Sequence, residues 1–532
     1  MTKSVLWRRL LIGALAILVP VGTAWAQPKP GGILVIGIEG EPAAIDPAAS
    51  TSLGSLRITR QITETLIKED SRVLDTPTAP IVPGLAERWE VSKDGKVYTF
   101  TLRRNVTFAD GTPLTAEAVK LNFDRLMDPG SKNYFKTGAA ATAKTTNWIK
   151  SYAATGSHTF RIELKEPFGS FHRAIMHPSM GIISPKALDE WGNDQIGLHL
   201  VGTGPFVFKE RERGVKVSLA KNPTYWDKAN SPYVDQVVFR VMPDSTARAA
   251  ALKTGEIDVD IMVLPDFVED LRRTPNVEVV MPRTPHIWFW RLNHQDPLLK
   301  DVRVRRALWH AMDLEGMSKA LFRGTGQAAW QFLPPKNPAH RATLANPYPY
   351  NPARARQLLK EAGVAEGTKM TIRVPAEGSS YMRPREMAEW VQANLKAVGL
   401  DAKVESLEWS TWIATGTKPL DVHLACSAWQ SIAHDPYMLE QLWGSQFQPP
   451  KGSNLGMYAN EELDKLFSQA RQTPDEAKRL ALYQKAEDLM LADVPAIPVA
   501  NDFSPRGVRK NIKGLLMGPS AFFDLTGVWI EK

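Results

Sequence analysis

The stretch Pro83–Leu126, PGLAERWEVSKDGKVYTFTLRRNVTFADGTPLTAEAVKLNFDRL, carries two periodicities in succession. Trp89 and Val91 fall on one face of a first strand. Asp94–Gly95 supplies a tight turn, and Tyr98, Phe100 and Leu102 share one face of the returning strand. A second Asp-Gly pair, Asp110–Gly111, ends the hairpin region. Thr115 then has the side chain of a helix cap, ahead of apolar Val119, Phe123 and Leu126 at helical spacing. A period of two gives way to a period near 3.6 within one stretch, which predicts mixed α/β structure.

The same alternation runs outward in both directions. GGILVIGI (Gly31–Ile38) reads as a buried strand, as do KMTIRV (Lys369–Val374) and DAKVESL (Asp401–Leu407). Val304, Ala307, Leu308, Ala311 and Met312 lie at helical spacing. Asn351 and Pro352 open a helix that Gly363 suits as a terminator. Thr473, Pro474 and Glu476 form a capping box for a further helix. FLPPKNPAH and YPYNP read as surface loops. Elements that alternate in this way predict α/β lobes, and 532 residues exceed what one core can hold.

The N-terminus predicts export. Lys3, Arg8 and Arg9 precede an apolar run from Leu10 to Val21, and Ala24 and Ala26 fit a small-x-small cleavage pattern. The run is shorter than the roughly 20 apolar residues of a membrane span. Residues 1–26 are therefore expected to be a cleaved signal peptide, with no cysteine at the cut to carry lipid, and the mature protein to be soluble and periplasmic. Removing that segment takes away three basic and no acidic residues and lowers the net charge from +8 to +5. No dense basic run points to nucleic acid. The single cysteine, Cys426, cannot form an internal disulfide and reads as a small buried hydrophobe.

Several phrases, in order, resemble the extracytoplasmic solute-binding proteins of the peptide/nickel class, family 5 of the ABC-importer binding proteins. They are GEPAAIDPA (Gly40–Ala48), the stretch Pro83–Leu126, GTGPFVFKE (Gly202–Glu210), Asn222–Val259, DVRVRRALWHAMD, NPARARQLLKEAG and RLALYQKAEDLMLADVPAIPV. The resemblance implies a two-lobed periplasmic-binding-protein fold with an extra subdomain inserted in the first lobe. By phrase position the first lobe is 27–63, 196–285 and 501–532, the inserted subdomain 64–195 and the second lobe 286–500. It also implies a monomer that captures a small-molecule or peptide-like solute by hinge closure and delivers it to inner-membrane permease subunits. No cofactor is implied.

LACSAWQSIAHDPYML (Leu424–Leu439) departs from the peptide binders of this family. Those relatives carry an aspartate three residues after the tryptophan, where it pairs with the ligand's α-amino group. Here Trp429 and Asp435–Pro436 are kept, but the third position is Ile432. Position 426, basic in some relatives, is Cys426. Loss of one partner of a buried ion pair costs about 3–5 kcal/mol, so peptides with a free amino terminus are disfavoured unless Asp435 takes over. Candidate ligand residues are therefore Trp429, Trp409, Ile432, Asp435 and Cys426. Trp288, Trp290, Trp412 and His434 join them, with Thr51 and Leu53 from the first lobe. Core packing is the competing role for every tryptophan. His423 and His434 bracket Trp429 at no spacing that a metal site uses. No GxSxG, HExxH or phosphate loop is present, so no catalysis is expected. A chaperone or sensor on the same scaffold is the alternative function, and a secreted hydrolase the remotest.

Overall fold

The computed structural model describes residues 28–531 apart from 51, 74–78, 283–284, 377–382, 417, 431–434 and 518–521; at 409, 410, 413 and 430 it describes the backbone alone. Thr51, Ile432, His434, the signal segment and the side chain of Trp409 thus lie outside the described residues.

Three larger sheets organise the described residues. A seven-stranded sheet runs Val277–Val280, Arg506–Arg509, Val259–Asp260, Ile33–Ile38, Gln236–Val241, Lys216–Lys221 and Phe206–Glu212 in spatial order. Its central strand Ile33–Ile38 is parallel to both neighbours and buries Leu34, Ile36 and Ile38. Such near-continuous apolarity is what a strand inside a covered sheet requires. A six-stranded sheet runs Gly326–Ala328, Ala496–Asp502, His286–Leu292, Leu424–Gln430, Thr368–Pro375 and Leu400–Leu407. The chain passes from the first to the second just before His286 and returns between Asp502 and Arg506. The strand Ala496–Asp502 therefore holds Asn501 and Asp502 in the second sheet, beyond the crossing point expected at 501.

The opening stretch builds the third sheet, Ala86–Val91, Val97–Leu102, Thr159–Leu164 and Ile149–Gly156. Gly95 turns the hairpin with φ 70°, the left-handed region that favours glycine. Tyr98, Phe100 and Leu102 are buried, and Thr115 caps helix Ala116–Met127 by accepting from the Ala118 amide at 3.1 Å. Phe123 of that helix meets Phe160 of the sheet at 4.9 Å between ring centroids. The Gly-Thr-Gly phrase has a steric origin. A Cβ at Gly202 would stand 2.1 Å from the Ile62 carbonyl oxygen, and one at Gly204 2.6 Å from that of Gln61. One capping assignment changes. Thr473 closes helix Glu461–Gln472, and Asp475 caps helix Glu476–Asp493 by accepting from the Lys478 amide at 2.9 Å.

Buried ion pairs tie these parts together. Asp46, in the loop that leads to helix Leu53–Ile62, receives two bonds from Arg125 of the four-stranded subdomain, at 3.1 and 2.5 Å. That subdomain also docks on the lobe of the six-stranded sheet. Ser170 donates to Asp435 at 2.9 Å, Glu166 meets Arg471 at 2.8 Å, and the rings of Phe168 and Tyr437 stand 4.8 Å apart. Elsewhere Asp266 of the first lobe pairs with Arg323 at 2.8 Å and with Arg383. The two lobes thus touch through the inserted subdomain and again through helix Pro265–Arg273.

Candidate functional site

The strands His286–Leu292 and Leu424–Gln430 pair antiparallel, with Ile287 opposite Trp429, Phe289 opposite Ser427 and Arg291 opposite Ala425. Thr368–Pro375 continues the row by placing Arg373 beside Ala425. Side chains of one strand alternate between faces, so these residues share one face and Trp288, Trp290, Ala428 and Cys426 share the other.

The first of these faces carries a cavity of about 960 Å³. Its described walls include Arg291, Arg373, Ser427 and Trp429 from the sheet and Trp412 from helix Trp409–Thr415. Thr411, residues 414–416 and 418–421, Ser453 and Leu455 complete them. The walls are amphipathic, with two tryptophans for apolar parts of a ligand and a few fixed polar groups for orientation.

Among the described residues three cations, Arg291, Arg373 and Lys418, line the cavity, against one carboxylate, Asp421. Asp421 pairs with Arg373, which Glu405 holds from the other side at 2.9 Å. Arg291 is 8% exposed. It donates from Nε to Ser427 Oγ at 2.9 Å and from Nη1 to the Ser453 carbonyl, and its guanidinium stands 5.3 Å from the centre of the Phe289 ring. Burial pushes its pKa down to about 10, which leaves it charged at neutral pH.

The expected site residues separate. Trp429, Trp412 and Cys426 border the cavity, although strand alternation turns the Cys426 side chain to the opposite face. Burial pushes its thiol pKa up, away from the reactive thiolate. Trp288 and Trp290, at 2% and 0% exposure, lie on that opposite face in the core and do not border the cavity. Leu53 begins its helix half-buried in the first lobe, away from the described walls. Asp435 is engaged elsewhere. Its Oδ1 accepts from Ser170 and from the Tyr437 amide at 2.8 Å, and its Oδ2 lies 3.9 Å from Arg173. It serves the contact between lobe and subdomain. His423 accepts from the Thr371 amide at 3.0 Å, and among the described residues no group of three His, Cys, Asp or Glu could hold a metal ion.

Arg291 and Ser427 are absent from the sequence-based candidates. Their signal was present: in HIWFWRL an arginine interrupts an otherwise apolar strand, and alternation puts it on the face of Ile287 and Phe289.

Residues 80–450 match the family described as bacterial extracellular solute-binding proteins, family 5 Middle. The chain belongs to this family. It is 30% identical over 448 residues to the glutathione-binding protein GsiB of Shigella flexneri serotype 5b (strain 8401), covering 83% of this chain and 84% of that protein. Its fold is similar to that of DppA from Helicobacter pylori in complex with the peptide STSA. That pair gives a TM-score of 0.83 and 29% identity over 95% of this chain and 99% of the other. The dipeptide-binding protein from Pseudoalteromonas sp. SM9913, in complex with Met-Leu, gives 0.84 and 28% over 94% and 100%. The chain therefore has the two-lobed α/β architecture of these proteins and is a solute-binding component of ABC import. Among the described residues, no helix is long and apolar enough to cross a membrane.

Proposed function

We propose that this protein captures a medium-sized, partly apolar, peptide-like solute between its lobes and releases it, chemically unchanged, to an inner-membrane permease. The observation that carries this reading is the cavity flanked by Trp412 and Trp429, whose described walls belong to the second lobe, the lobe on which the inserted subdomain docks through Ser170 and Asp435. The division into a first lobe (27–63, 196–285 and the segment that follows the return crossing after Asp502), an inserted subdomain (64–195) and a second lobe (286–502) gives closure its moving parts. The mature chain begins after residue 26, carries no lipid, resides in the periplasm and acts as a monomer. Relatives that bind glutathione, STSA or Met-Leu support a peptide-like ligand. Ile432 at the position of the amino anchor, and the commitment of Asp435 to Ser170 and Arg173, favour solutes whose amino group is blocked or absent.

Purification from native periplasm, with mass spectrometry of the co-purifying small molecule, tests the reading. The expected result is a stoichiometric solute that compacts the protein in X-ray scattering and is recovered intact. A solute that is turned over, or that binds tightly with no compaction, would contradict it.

A further inference from the structure

We propose that Arg291 is the anchor for a carboxylate of the solute, with Trp412 and Trp429 flanking its apolar parts. The inference rests on the binding-protein reading and adds the charge of the ligand to it.

A buried guanidinium is costly unless an anion faces it. The protein meets that requirement closely at four other buried arginines. Arg125 has Asp46 at 2.5 Å, Arg305 has Asp493 at 2.6 Å, Arg471 has Glu166 at 2.8 Å, and Arg248 has Asp260 at 3.2 Å. Arg291 is buried as well, at 8% exposure, yet among the described residues it forms no ion pair. Its two protein acceptors, a hydroxyl and a carbonyl, fix its direction and leave its charge unanswered. Nη2 has no acceptor among the described residues, and Arg291 borders the cavity. Asp421, the one carboxylate in the described walls, is occupied by Arg373. The missing counter-charge is thus left for the ligand to bring. A carboxylate answers one guanidinium with one charge and planar geometry. A phosphate dianion carries a second charge and calls for further donors.

The test is calorimetric titration of the mature protein with a panel of N-acetyl dipeptides, each as the free acid, the C-terminal amide and the phosphonate analogue. Wild type, Arg291→Met and Arg291→Lys are compared, and the melting temperature of each unliganded protein reports folding. The expected result is that acids bind wild type, and that matched amides bind roughly thirtyfold or more weakly, the scale of losing one partner of a buried ion pair. Arg291→Met should lose the distinction between acid and amide while melting no lower than wild type. Arg291→Lys should keep part of it. Amides that bind as tightly as acids, an Arg291→Met protein that still discriminates, phosphonates that outbind acids, or a panel without any binding acid would each overturn the inference. Compaction by the co-purified solute is measured separately, so the capture mechanism can stand where the carboxylate anchor fails.

Discussion

On one face of the six-stranded sheet Trp288, Trp290 and Cys426 sit in the core. On the other, one residue along each strand, Arg291 and Ser427 look into a cavity of about 960 Å³. The same two strands build both faces, and each face carries aromatic residues: Trp288 and Trp290 on one, Phe289 and Trp429 on the other. What separates them is register. Alternation sends the large side chains at 288 and 290 into packing, and the arginine with its hydroxyl partner to the ligand side. The difference teaches that aromatic content does not locate a binding face. The location of an unanswered charge does, because close packing tolerates an indole far more readily than a cation without a partner.

Substitutions on the two faces should therefore move different observables. The largest effect is expected from Trp290→Ala, which opens a void in the packed face and should cost about 3–5 kcal/mol of stability, read from denaturant midpoints. Solute affinity of the folded fraction should change little. Loss of binding at unchanged stability would reverse the roles of the faces. Trp429→Ala should show the opposite pattern, with affinity weakened by about 2 kcal/mol in calorimetry and a smaller stability loss than Trp290→Ala. Ser427→Ala removes the 2.9 Å bond that aims Arg291 and should weaken affinity for acidic solutes by about 1 kcal/mol, with little change in melting temperature.

The smallest effect concerns the contact beside the cavity face. His172 lies on the subdomain that docks there, and its pKa is lowered from 6.5 to about 4 by burial first, then by Arg173 and Arg479, with Asp435 opposing. The docked ring stays neutral while the unfolded ring takes a proton. Its stabilising contribution is thus full above pH 6.5 and is lost as pH falls toward about 4. Melting temperature should drop over that window, and His172→Asn should flatten the drop. An unchanged pH profile in the variant would remove His172 from the account.

Much of the fold was legible because its signals are local. The hairpin at Asp94–Gly95, the Thr115 cap and the Asn351–Pro352 start each depend on neighbours within a few residues. Thr473 was misassigned because Thr473 and Asp475 both suit a cap beside Pro474. The choice fell to the preceding helix, which needed Thr473 at its end. The site was less legible. Alternation put Trp288 and Trp290 on one face, but a strand buried on both sides does not reveal which face meets a cavity. The engagement of Asp435 was hidden for another reason: its partner Ser170 is 265 residues away in the chain.

The central claim is that a solute is held against Arg291, Ser427 and Trp429 while the lobes stay together. Hydrogen–deuterium exchange of the mature protein, with and without its co-purified solute, tests this most directly. The account predicts added protection in 424–430 and 411–421, and at the contacts made by 166–173 and 266. Protection confined to other regions, with these segments exchanging as in the free protein, would contradict it.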